Sequence, residues 1–400
     1  MLNPNVLITA LCVPMEKNKA VDDPTHRMGL PVNLIGGSGV GKSEYVEDVG
    51  EALRFFVHTV IPATSNPEDI GGYPVQDGKG GLTRLCDDAG IYQLIDTGEG
   101  ILFLDEVNTN RAAMQAAYLR VVLKRIYGGM SLPNRCRIIS AMNPPELSAG
   151  GIPLTPPMAN RFCHIPFSAG TPREWSDWLL DYDGEKVESM YDAEKKVVNN
   201  WSKSWALSAN QIAGFVRAKS DSLNKQPLPG DPKGSGAWPS SRTNFWAART
   251  LATARALGQD GLVEDILLQG LCGEAWLTEF RAYVKAADLP DPETMLTKGW
   301  EIDTRRLDRT MTALETLGRY VADIPVTDPT RIDKAEKAWD FLHRACSSGL
   351  GDLCYRPARM LVNAKLSALS GSAVLEKAAR PVLERLYKTN EIGQKIASLT

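Results

Sequence analysis

Apolar and polar positions follow two regimes along this 400-residue chain. In the first, short apolar runs alternate with stretches whose apolar residues recur at helical spacing. PVNLIG (31–36), VHTVIPAT (57–64), GILFLDE (100–106), CRIISAMN (136–143) and FCHIPF (162–167) read as strands. They are nearly continuously apolar, as strands buried on both faces are. SEYVEDVGEALRFF (43–56) predicts a helix after the first of them. Alternating strands and helices predict an α/β domain over residues 1–170, a parallel sheet with flanking helices.

From about residue 171 strand signals stop. TNFWAARTLATARALG (243–258) and EAWLTEFRAYVKAA (274–287) carry helical periodicity, and NKQPLPGDPKGSGAWPSS (224–241) is too rich in proline and glycine for regular structure. A proline-bounded turn at LPDPETML (289–296) suggests a further boundary. The expected organisation is a helical lid over 171–290 and a C-terminal helical region over 291–400, with no repeat of fixed period. At the N-terminus, MLNPNVLITALCVPMEKNK has an apolar stretch with no basic residue before it and no small-residue cleavage site after it. It reads as a short amphipathic or buried element of a cytoplasmic protein.

Composition narrows the function classes. With 43% hydrophobic and 23% charged residues the chain is an ordinary globular one. A net charge of -3 gives no electrostatic footprint for nucleic acid or an anionic membrane surface. No apolar run approaches the roughly 18 residues that span a bilayer. Seven cysteines and four histidines are scattered without metal-ligand or redox spacing, which argues against a zinc site or a cysteine nucleophile.

The chemistry begins after the first strand, where GGSGVGKS matches G-x-x-x-x-G-K-[ST] in full: Gly36, Gly37, Ser38, Gly39, Val40, Gly41, Lys42 and Ser43. Glycines let the backbone curl so that successive N–H groups point at phosphate oxygens, and the next helix presents its positive end. Lys42 is placed for the β- and γ-phosphates and the Ser43 hydroxyl for Mg²⁺. The third strand ends in Asp105 and Glu106, and carboxylates at the end of a buried run need a partner. Asp105 is expected to face the ion held by Ser43, and Glu106 to polarise a water attacking the γ-phosphate of ATP.

Three later stretches add RIISAMNPP with Asn143, LTPPMANRF with Arg161 and AWPSSRTNF with Arg242. Here the chain resembles the AAA+ ATPases, in which these positions are sensor 1, the arginine finger and sensor 2. LDEVN followed by RAAMQAAYLRVVLKRIYGG, then ISAMNPPELSAGG and PPMANRF, is similar to the MoxR-type, helix-2-insert branch. ATSNPEDIGGYPVQDGKGG (63–81) stands where that insert begins. The resemblance implies Mg²⁺-dependent ATP hydrolysis by a homo-oligomeric ring, a hexamer, that remodels a protein client; partners with a von Willebrand factor A domain belong to that branch. The alternatives are a nucleic-acid motor, disfavoured by the acidic balance, and a slow nucleotide-gated binding module. Arg111, just after the catalytic strand, is a further candidate for a neighbouring subunit's nucleotide or else a solvated charge. Gly71–Gly72 before Tyr73–Pro74 reads as a mobile turn whose Tyr73 either packs back on its own domain or, as the resemblance implies, meets a client, with Glu68 and Asp69 then selecting against acidic surfaces.

Overall fold

A computed structural model describes residues 2–61, 67–76, 82–108, 112–147, 152–180, 189–259, 261–367 and 372–389. The chain divides into two compact units, Met1–Asn199 with Asp221–Leu277, and Asn200–Ser220 with Thr278–Thr400. These limits do not coincide with the boundaries at 170 and 290 read from composition.

In the first unit the strands are β1 (Val32–Ile35), β2 (Val57–Val60), β3 (Tyr73–Gln76), β4 (Leu82–Leu85), β5 (Glu99–Leu104), β6 (Ile126–Tyr127), β7 (Met130–Ser131), β8 (Arg135–Met142) and β9 (Cys163–Pro166). The five expected strands form one parallel sheet in the order β2-β5-β8-β1-β9. Two antiparallel hairpins, β3–β4 and β6–β7, were not expected. The second turns on Gly128 and Gly129 at φ 56° and 87°. Two consecutive positive φ values match the twist of a two-residue hairpin. Tyr73 opens β3 instead of capping a loose turn, and its hydroxyl donates to Asp69 Oδ1 at 2.5 Å.

The helices begin with α1 (Pro4–Leu11), α2 (Lys42–Leu53), α3 (Pro67–Gly71), α4 (Ala89–Thr97), α5 (Ala112–Lys124), α6 (Pro156–Ala159) and α7 (Pro172–Leu179). They continue with α8 (Met190–Ala218), α9 (Ser241–Leu257), α10 (Gly261–Cys272) and α11 (Glu274–Ala287). The N-terminal apolar stretch is α1, buried from Val6 to Leu11 on every side and packed on α9 and α10. Helix α2 stops earlier than its periodicity suggests. Arg54 turns left-handed (φ 58°) and the Phe55 N–H returns to Gly50 O, satisfying a terminal carbonyl. Gly50 admits no side chain there, since a Cβ would lie 2.2 Å from Val57. Helices α8 and α11 each contribute residues to both units.

The second unit is all-helical among the described residues, with α12 (Pro292–Lys298), α13 (Leu307–Ala322), α14 (Arg331–Ser347), α15 (Gly351–Asn363) and α16 (Ala373–Thr389). Its core centres on Trp339, whose indole N–H donates to Leu366 O at 2.6 Å. Pro357 inside α15 lies against Gly318 of α13, where a Cβ would approach within 2.6 Å. A glycine lets those two backbones close up. Among the described residues no helix is long and apolar enough to cross a membrane.

Candidate active site

The sheet order decides where a ligand can sit. From β1 the chain crosses to β2 at one edge, and from β8 it crosses to β9 on the far side of β1. Right-handed crossovers that leave neighbouring strands in opposite directions run over opposite faces. A crevice therefore opens beyond the carboxyl ends of β1 and β8, the switch point where α/β sheets bind ligands.

The glycine-rich loop lies there. Gly36 can be nothing larger, because a Cβ would stand 2.3 Å from the Phe167 carbonyl oxygen. Gly39 and Gly41 have φ 75° and 88°, and open space surrounds the place of a Cβ at both. Gly41 begins α2 with no side-chain cap, so the orphan N–H groups of the first turn remain available to an anion. Lys42, 9% exposed, donates to Gly36 O and Gly37 O at 2.8 Å and to Asn143 Oδ1 at 3.0 Å. Burial lowers its pKa, an effect opposed by the carboxylates of Asp105 and Glu106.

Ser43 Oγ donates to Asp105 Oδ2 at 2.6 Å, and the Glu106 N–H donates to Asp105 Oδ1 at 2.9 Å. Both carboxylate oxygens are thus fixed by neighbours. Glu106 itself has φ 54°, an unfavourable backbone for a residue with a Cβ, costing on the order of 1 kcal/mol or more. A turn this tight right after β5 keeps two successive carboxylates at the crevice. Asn108, fully buried, was not singled out by its sequence; its Nδ2 donates to Asn143 O at 2.9 Å and so ties the turn after β5 to the end of β8. The resulting cleft of about 340 Å³ is bounded by Ser38, Gly39, Gly41, Lys42, Ser43, Glu44, Asp105, Glu106, Met142 and Asn143.

Arg161 and Arg242 are not in that cleft. Arg161 precedes β9, which pairs Cys163 with Val32 and Pro166 with Ile35, whereas the glycine-rich loop follows Ile35. The length of β9, roughly 10 Å, separates the two ends. Both arginines instead line a second cavity of about 390 Å³, with Pro156, Pro157, Asn160, Asn224, Gln226, Trp238, Ser240 and Ser241. Arg161 donates to Pro157 O, and its Nε is buried without a partner. Arg242 Nη1 donates to Asn160 Oδ1 at 3.2 Å. Burial lowers the pKa of both, and the Arg242 charge lowers that of Arg161 further. Neither pairs with a carboxylate among the described residues.

Arg242 owes its position to the start of α9. Ser240 caps that helix, accepting from Thr243 N at 3.2 Å, while the Ser240 N–H donates to Thr243 Oγ1 at 2.8 Å. Arg111 lies outside the described residues, as do parts of the 63–81 stretch.

The oxygen donors and the loop suit a magnesium nucleotide: Ser43 and Asp105 offer hard ligands, and the positive-φ glycines leave the cradle open. No protein-family model matches the chain, and no curated protein matches it. A solved structure of "a putative ATPase" from Cytophaga hutchinsonii is similar, with 16% identity and a TM-score of 0.44, covering 66% of this chain and 79% of that one. A likeness so distant carries no argument about activity.

Proposed function

We propose that the chain is a Mg²⁺-dependent ATPase of the AAA+ class, MoxR-like, acting in the cytoplasm as a homo-oligomeric ring that remodels a protein client. The observation that carries this reading is the cleft in which Lys42, Ser43, Asp105, Glu106 and Asn143 converge from three neighbouring strands. Lys42 and the backbone N–H groups of Gly39 and Gly41 hold the β- and γ-phosphates of ATP. Ser43 and Asp105 would hold Mg²⁺, which when bound neutralises charge on those oxygens. Glu106 takes a proton from the attacking water, and Asn143 orients that water without adding charge. The uncompensated pair Arg161 and Arg242, separated from its own cleft by the length of β9, serves the γ-phosphate of the next subunit. That division of labour requires a ring, a hexamer in this reading. Residues 171–290 would act as a lid, and residues 291–400 would meet the client, of which a von Willebrand factor A domain protein is one class.

The deciding experiment uses Glu106→Gln, which keeps the shape of the carboxylate and removes the base. The variant is expected to bind ATP with wild-type affinity and hydrolyse it at least about 100-fold more slowly. Proteins retained on it in ATP, identified by mass spectrometry, name the client. Wild-type turnover by this variant would remove Glu106 from the mechanism.

A further inference from the structure

Asn160 bonds Arg242 and the cap of α9 and directly precedes Arg161, and we propose that it is the positioning residue that presents the two arginines as a single two-pronged cation. The inference rests on the reading that Arg161 and Arg242 together meet a neighbouring subunit's phosphate.

Asn160 is 4% exposed, and both the oxygen and the nitrogen of its amide are engaged. Oδ1 accepts from Ser240 Oγ at 2.9 Å and from Arg242 Nη1 at 3.2 Å, while Nδ2 donates to Trp238 O at 3.1 Å. One amide therefore grips the cap of α9, the guanidinium two residues beyond it and the chain leading into it. Arg161 is the next residue after Asn160, so the same backbone sets where the second guanidinium begins.

That backbone is itself held from beneath. Ala159 O accepts from His164 Nε2 at 2.9 Å, His164 Nδ1 faces Asn33 Nδ2 at 3.3 Å, and Asn33 Oδ1 accepts from Ser140 Oγ at 2.9 Å. Helix α10 closes over this chain, with Gly270 so near that a Cβ would lie 2.5 Å from His164 O. A hydrogen-bonded line thus runs from β8 through β1 and β9 to the residue before Asn160. Buried networks of this kind rigidify what they support when every member is satisfied. An amide is the right head group. A carboxylate would pair with Arg242 and withdraw its charge, and an apolar residue would remove the acceptor that Arg242 Nη1 shares with Ser240 Oγ.

The test is steady-state ATPase kinetics on full-length Asn160→Ala, Arg242→Ala and the double variant, with nucleotide affinity measured separately. Asn160→Ala is expected to lower kcat about 10- to 100-fold with KM and ATP affinity unchanged. In the Arg242→Ala background the same change should cost several-fold less, because it acts largely through that side chain. Mixed with Lys42→Ala subunits, Asn160→Ala subunits should regain turnover, since their own nucleotide cleft is intact. Losses that multiply in the double variant, or no recovery on mixing, would overturn the positioning role. If Asn160→Ala fails to fold, Asn160→Asp keeps the acceptor, and its loss should likewise vanish in the Arg242→Ala background. Impaired arginine variants beside an unimpaired Asn160→Ala would sink this inference alone. Wild-type turnover by Arg161→Ala and Arg242→Ala would instead sink the reading beneath it.

Discussion

The two cavities of the first unit treat charge in opposite ways. In the cleft, two ions have partners within the chain: Lys42 is engaged by two carbonyls and Asn143, and Asp105 by Ser43 and the Glu106 N–H. In the arginine cavity two cations share one space, burial lowers the pKa of both, and Arg161 Nε has no acceptor among the described residues. An orphaned buried donor costs about 1–3 kcal/mol. On the proposed reading, the anion that answers these two guanidinium groups is a neighbouring subunit's phosphate, while the cleft serves the chain's own nucleotide.

The largest effect on binding should come from Lys42→Ala, which removes the cation of the cleft. ATP affinity is expected to fall at least about 100-fold, on the order of 3 kcal/mol, read by nucleotide titration. Retained affinity would mean that the cleft does not hold the phosphates.

Arg161→Ala sharpens the contrast. Its ATP affinity should stay within about twofold of wild type while kcat falls on the order of 10³-fold. Subunits carrying it, mixed with Lys42→Ala subunits, should regain part of the lost turnover where intact partners meet. Loss of binding by the Arg161 variant would erase the functional distinction between the two cavities.

A smaller effect concerns the hydrogen-bonded line that supports the residue before Asn160. Burial pushes His164 down to about 4 from the 6.5 of a free imidazole. The unfolded chain therefore binds the extra proton first. Stability is fully present above about pH 6.5 and is lost as pH falls toward 4, by ~2 kcal/mol between about pH 7.5 and about pH 5. Denaturant unfolding at the two pH values measures it. His164→Gln should flatten that difference relative to wild type; an equal pH dependence in the variant would assign it to other groups.

What was legible in the sequence was what is local. The phosphate loop is eight consecutive residues, and its flanking strand and helix are short-range patterns. The parallel sheet followed from continuous apolar runs. The pairing of Arg161 with Arg242 was not legible, because it depends on Asn160 reaching the cap of a helix far along the chain. Asn160 and Asn108 each stand beside a motif residue, yet nothing in their own strings distinguishes an amide that bridges segments from one that faces water. The paired Gly128–Gly129 is a local hairpin signal, but the strands it joins are only two residues long, too short to show an apolar pattern. Unit limits were obscured for a different reason: α8 and α11 are continuous helices, and periodicity carries no mark where the packing partners change.

The engagement of Lys42 has a consequence for selectivity among anions. Its ammonium already satisfies three acceptors, so an incoming oxygen competes in an exchange and does not simply fill a free valence. A lone phosphate brings little to offset the bonds it must displace. A triphosphate chain brings several oxygens at once, spread along the glycine loop and the start of α2, and the exchange then runs in its favour. On the proposed reading, discrimination between a nucleotide and the inorganic phosphate it releases is a property of the loop's own internal bonding, set before any base or sugar is read.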